Sequence, residues 1–103
     1  MSSTQDQITS TAHVPTAESA RYMKQLCRHF AHRVPAVFDE NEGEVTFEFG
    51  VCRLQAGPAE LLLRANAPDP ASLDRLEQVI GSHLERFAHR DGITVEWSRD
   101  ATN

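Results

Sequence analysis

The stretch GEVTFEFGVCRLQAGPAELLLRANAPDPAS, residues 43–72, carries two changes of hydrophobic period, and its reading decides the fold. Val45, Phe47 and Phe49 alternate with polar residues; Cys52, Leu54 and Ala56 then do so one position out of phase. The parity slips at Gly50, and a bulge or kink there, inside one long strand from Glu44 to Ala56, is the simplest cause. Gly57-Pro58 supplies a turn and Glu60 to Ala67 a further strand. At Pro68-Asp69-Pro70 the period changes to that of a helix, with Asp69 suited to the N-cap and Pro70 to the first helical position.

Downstream, Leu73, Leu76, Ile80, His83, Leu84 and Phe87 fall in one helical stripe, so a helix is expected to run to Arg90 with Gly92 as its stop. Ile93, Val95 and Trp97 alternate with Thr94, Glu96 and Ser98 as a last strand. Upstream, Ala36 to Glu40 reads as a strand that turns at Asn41-Glu42-Gly43. Before it, an amphipathic helix extends from a Thr16 N-cap to about Arg33, with Ala20, Met23, Leu26, Cys27, Phe30, Ala31 and Val34 on its core face. Ile8 to Val14 alternates as a first strand that Pro15 ends.

The order β-α-β-β-β-α-β, two βαβ units around a meander, predicts an α+β fold. It is a two-layer α/β sandwich with an antiparallel-rich sheet and two helices on one face. A single domain is expected over residues 8–98, with flexible polar tails at 1–7 and 99–103. Thr11, His13, Thr46, Glu48, Arg64 and Glu96 should project from the sheet face away from the helices, a polar surface that favours a monomer.

Phe30-Ala31-His32-Arg33 recurs letter for letter as Phe87-Ala88-His89-Arg90. A structural account suffices: each Phe in the core stripe, each Ala where helix meets sheet, and His and Arg in the final turn, where cations meet the negative end of the helix dipole. A paired ligand site is the functional alternative. His83 stands in an apolar stripe where the first helix has Leu26, which predicts a buried neutral ring or a ligand contact. Along one edge of the first helix, Tyr22, Gln25, His29 and Arg33 follow at i, i+3, i+7 and i+11, with His32 adjoining. Phenol, amide, imidazole and guanidinium in a row suit an anionic or oxygen-rich ligand, against the plainer reading of a solvated face. His29 and His32 could share a metal, but no Asp, Glu or Cys is spaced to close a four-ligand site.

Ten Lys and Arg against fifteen Asp and Glu, a net charge of −5, argue against nucleic acid or an anionic membrane as partner, although arginines cluster on the helices. The first residues lack a signal-peptide pattern and no run is long and apolar enough to span a bilayer, so a cytoplasmic protein is expected. Cys27 and Cys52 lack CxxC spacing and read as buried small hydrophobes in a reducing compartment. No phosphate loop or nucleophile elbow is present, and no carboxylate pair can be placed for acid–base work. Catalytic residues and a cofactor are therefore not assigned.

RYMKQLCRHFAHRVP (residues 21–35), GEVTFEFGVCRLQA (43–56) and HLERFAHRDGITVEW (83–97) together resemble the bacterial domain of unknown function family DUF2218 over about Thr11 to Trp97. The resemblance brings no established activity or site. The family occurs as short stand-alone proteins and as a segment attached to siderophore-interacting flavin reductases. A chain of this length has no room for flavin and nicotinamide domains, so it is not expected to be such a reductase itself. The association implies an accessory, non-enzymatic domain that binds a small ligand or partner, with a siderophore-interacting reductase or its ferric siderophore as the expected candidate. Two alternatives stay open: a histidine-dependent enzyme using His29 or His83 on a small anionic substrate, and a metal or haem binder.

Overall fold

The computed structural model describes residues 7–99, so most of the two expected polar tails lies outside it. Six strands are formed: β1 (Ile8–Pro15), β2 (Ala36–Phe38), β3 (Glu42–Phe47), β4 (Gly50–Ala56), β5 (Glu60–Ala67) and β6 (Ser98–Arg99). They make one sheet in the order β2-β3-β4-β5-β1-β6, with every pairing antiparallel. Helices α1 (Ser19–Phe30) and α2 (Pro70–Phe87) pack on one face. The fold is the expected α+β two-layer sandwich. Arg99, expected in the C-terminal tail, belongs to β6 and bonds Asp74 and Glu77 of α2.

Alternation sorts the sheet faces as the period of two requires. Ala12, Val14, Val45, Cys52, Leu54, Leu61, Leu63, Ala65 and Ala67 are buried beneath the helices, against Met23, Leu26 and Cys27 of α1 and Leu73, Leu76, Ile80 and Leu84 of α2. On the other face His13, Thr46 and Arg64 are exposed and Thr11 is half-buried. Val37, 66% accessible, is the one large hydrophobic side chain standing out there among the described residues.

The parity slip at Gly50 has a different cause from the bulge expected. The chain reverses at Glu48-Phe49, pairing Phe47 with Gly50, so the single long strand is the hairpin β3–β4 and the meander has four strands. Neither turn residue has positive φ, so the turn lacks the Gly or Asn signal that marks most two-residue hairpins. Gly50 is needed for space: a Cβ there would lie 2.6 Å from the Asn66 carbonyl oxygen and 2.9 Å from Cδ2 of Leu76. Glu48, placed by the sequence on the outer sheet face, is in this turn. The turn before β3 also comes earlier than expected, at Asp39 to Asn41, where the Asp39 carboxylate accepts from the Asn41 and Glu42 amides.

Neither helix connects neighbouring strands, which corrects the two simple βαβ units. Because every pairing is antiparallel, β1 and β2 point the same way but are separated by β5, β4 and β3, while β5 and β6 are separated by β1. Both crossovers skip strands. Residues 93–97 are extended without ladder pairing, yet Ile93, Val95 and Trp97 are the half-buried side chains, as the alternation predicts. Val95 and Trp97 lie over Gly81 of α2, where an added Cβ would be 3.2 Å from the Trp97 indole nitrogen.

Helix α2 begins as read, with Asp69 accepting from the Ser72 amide at 2.8 Å and Pro70 in the first turn. It ends at Phe87; His89–Asp91 form a 3₁₀ turn and Gly92, at φ 65°, stops it in the left-handed conformation. Helix α1 starts later than expected. The Thr16 hydroxyl accepts from the Glu18 amide in a local turn, and the buried Ser19 hydroxyl donates to the Gly57 carbonyl at 2.6 Å, anchoring the helix start to the β4–β5 turn.

Candidate functional site

The two helices are antiparallel. Tyr22 early in α1 meets Asp91 beyond the end of α2, whereas His29 late in α1 meets His83, two turns back from Asp91. This packing sets Phe87 of the second FAHR copy against His29, beside Phe30 of the first. It also gives the two copies different phases: Phe30 is buried and Ala31 exposed, but Phe87 is half-buried and Ala88 fully buried. The His and Arg of both copies follow the helices instead of occupying their last turns. The expectation of equivalent roles is corrected by one step of helical rotation.

What the helices do bring together is an imidazole pair. His29 and His83 have ring centres 4.8 Å apart at an interplanar angle of 42°. Phe30 stands edge-on to both, at 5.0 Å from each, and Phe87 is 5.5 Å from His29. Phe47 of β3 closes the inner side, 5.2 Å from Phe30, and stacks on Phe49 at 5.0 Å. The Arg75 guanidinium covers Phe49 at 4.2 Å. The floor is thus aromatic and supported by the β3–β4 hairpin.

His83 is half-buried, more open than its place in the stripe predicts, because the stripe edge faces α1 and not the sheet. Its Nδ1 lies 2.7 Å from the Val79 carbonyl oxygen. A carbonyl only accepts, so this contact places the proton on Nδ1 and leaves the Nε2 lone pair free. His29 is exposed but its pKa is lowered, first by partial desolvation, then by the charges of His83, His32, Arg33 and Arg86. All four charges are of one sign. Among the described residues, none of these five side chains has a carboxylate within ion-pair distance.

Of the residues expected on the α1 edge, Gln25, His29, His32 and Arg33 are exposed. Tyr22 is not: it is 3% accessible, and its hydroxyl donates to the Asp91 carboxylate. It anchors the two helices and stands apart from the imidazole pair. Arg86 and the ring of Phe47 join the site without having been singled out; the position of Arg86 at i+3 from His83 was the available signal. Among the described residues, no group of three or more His, Cys, Asp or Glu side chains is gathered for a metal.

Two surface concavities lie elsewhere, and neither contains a histidine. The larger, about 530 Å³, is on the outer sheet face, where Val37, Leu62, Arg53 and Arg64 contribute. With His29 exposed and His83 half-buried, the imidazole pair is presented on the surface. No described helix is long and apolar enough to cross a membrane.

Comparison with known proteins agrees with this geometry at the level of fold. The model of a family described as an uncharacterized protein conserved in bacteria (DUF2218) matches residues 11–98. Among solved structures the chain is similar to the NMR structure of PA4090 from Pseudomonas aeruginosa, with TM-score 0.75 and 33% identity, over 88% of this chain and 95% of that one. No curated protein matches.

Proposed function

Since the chain belongs to the bacterial DUF2218 family, whose description assigns no activity, we propose from the site itself that it is a non-enzymatic accessory domain binding an acidic ligand or acidic partner surface. The observation that carries this reading is the approach of His29 of α1, with His32 and Arg33 in the segment just after it, to His83 and Arg86 of α2, in a protein of net charge −5. Arg33 and Arg86, without a carboxylate partner among the described residues, are suited to bidentate oxyanion binding, and the half-buried Phe87 ring beside His29 adds an apolar contact. The open surface favours binding over catalysis, since an enzyme of small molecules would enclose its substrate.

The proposed partner is a siderophore-interacting flavin reductase or its ferric siderophore, met in the cytoplasm by a monomer of this chain. Support comes from the reductase association that the family resemblance implies, together with the cationic groups near the helix pair. Titration of isotope-labelled protein with the host reductase and, separately, its ferric siderophores tests it. Shifts should cluster on His29, Arg33, His83 and Arg86, and vanish in a folded variant carrying His29→Ala with Arg33→Ala. No perturbation by either at high micromolar concentration would remove the iron connection.

A histidine-dependent enzyme is the second reading, favoured by one observation: the free Nε2 of His83 in a pair with His29. Turnover of small anionic esters, abolished by His83→Gln, is the result that would move the assignment to it.

A further inference from the structure

We infer that the His29–His83 pair takes up a proton together with its anion, so that the site binds a carboxylate or phosphate group in a proton-coupled step. This rests on the anion-binding reading above and goes beyond it by assigning the two histidines a role distinct from that of the arginines.

The geometry leads there in three steps. Ring centres 4.8 Å apart leave little room for water between the two imidazoles, so two imidazolium charges would repel strongly and the pair holds at most one added proton with ease. The Val79 carbonyl fixes Nδ1 of His83 as donor, so the added proton on that ring can only go to Nε2, the nitrogen free for ligand. The charged groups that lower the His29 pKa are cationic when charged: His83 and Arg86 from α2, His32 and Arg33 from its own segment. The β3–β4 hairpin reaches the cluster through Phe47 against Phe30, a neutral ring.

In the free protein desolvation, and after it these groups, disfavour protonation of His29. A bound oxyanion reverses the balance, because its negative charge pairs with Arg33 and Arg86 and favours imidazolium beside it. The proton comes from solvent and returns there on release. Arg33 and Arg86 stay charged throughout, whereas the pair contributes attraction only when protonated. Linkage then requires affinity to rise as pH falls, by up to about tenfold per pH unit while one proton is being taken up.

Benzoate is a suitable probe, since its carboxyl remains ionised above pH 5.5 and its ring can meet Phe87. Titrations at pH 5.5 and 8.5 should show binding at least about tenfold tighter at the lower pH. Saturating benzoate should raise the titration midpoint of His29, read from its ring carbon shifts. Calorimetry at pH 7 in two buffers of different ionisation enthalpy should report net proton uptake. His83→Gln, checked for folding by its amide spectrum, should retain binding at pH 8.5 and lose most of the gain at pH 5.5. Equal affinity at both pH values without proton uptake would overturn the coupling and leave anion binding by the arginines standing. Absence of benzoate binding at either pH would overturn the coupling and the anion-binding reading together.

Discussion

Tyr22 of α1 donates its hydroxyl hydrogen to the Asp91 carboxylate in the 3₁₀ turn after α2, joining the two helices at the end away from the imidazole pair. A hydrogen bond to a charged group contributes about 1.5–3 kcal/mol, less where the acceptor is as exposed as Asp91. Tyr22→Phe should therefore lower stability by about 1–2 kcal/mol. The Tyr22 pKa is raised, mainly by this bond and then by burial. Its contribution is thus complete below the unfolded phenol value of about 10 and is lost as pH rises through the folded value. Denaturant melts from pH 8 to 11 should show a steeper alkaline decline in the native protein than in Tyr22→Phe.

Gly50 lies between the β5 backbone and Leu76 of α2, with φ outside the range that requires glycine. Gly50→Ala puts a methyl group against the Asn66 carbonyl, which is backbone and cannot rotate away. A loss of about 1–3 kcal/mol is expected from overpacking, with amide shift changes confined to the β3–β4 hairpin, β5 and the first half of α2. A stability change below about 0.5 kcal/mol would show that the helix is free to lift.

The two alanines of the repeat separate sequence identity from structural equivalence. Ala31 is exposed and Ala88 is fully buried, so Ala31→Leu should stay within about 0.5 kcal/mol while Ala88→Leu costs about 1–3 kcal/mol. For the aromatic partners the order reverses: Phe30→Ala should cost about 3–5 kcal/mol and Phe87→Ala less, because Phe87 is only half-buried. Thermal or urea melts of the four variants test the phase difference directly.

These residues also mark how far the sequence is legible. Pro68-Asp69-Pro70 and Gly92 act through local backbone chemistry, and both place the ends of the α2 region as read. Glu48-Phe49 offers no such local signal, so the hairpin looked like a bulge: either one inserts a parity change, and only the strand pairing distinguishes them. His29 and His83 were each unusual on their own helices. Their meeting depends on the antiparallel approach of α1 and α2, and Phe30 and Phe87 set its phase through contacts far apart in the chain.

Cys27 and Cys52 are free, fully buried thiols. Burial pushes the Cys27 pKa up to about 11 and that of Cys52 up to about 12, the neighbouring Cys27 adding to the second. Neither forms thiolate near neutrality, so both should resist a thiol reagent at pH 8 in the folded protein and react fully in denaturant. Rapid labelling of either under native conditions would mean that α1 opens from the sheet.

The imidazole pair should leave its own mark on acid stability. The folded pKa of His29 is lowered from the ordinary value of 6.5, with desolvation as the larger cause and the charge on His83 next. As pH falls, the unfolded chain therefore takes up this proton first. The contribution of the neutral ring is complete above about 6.5, declines as pH drops toward the folded value, and is flat below it. Carboxylates also titrate in acid, but they are common to the native protein and its variants, so differences between proteins isolate the histidine. Between pH 8 and 5, His29→Gln should lose less stability than the native protein. His83→Gln removes only the second cause and leaves desolvation in place, so its loss should fall between the two. If His83→Gln instead declined as steeply as the native protein, the rings would not share charge across the helix contact, and the pairing of α1 with α2 at this point would need revision.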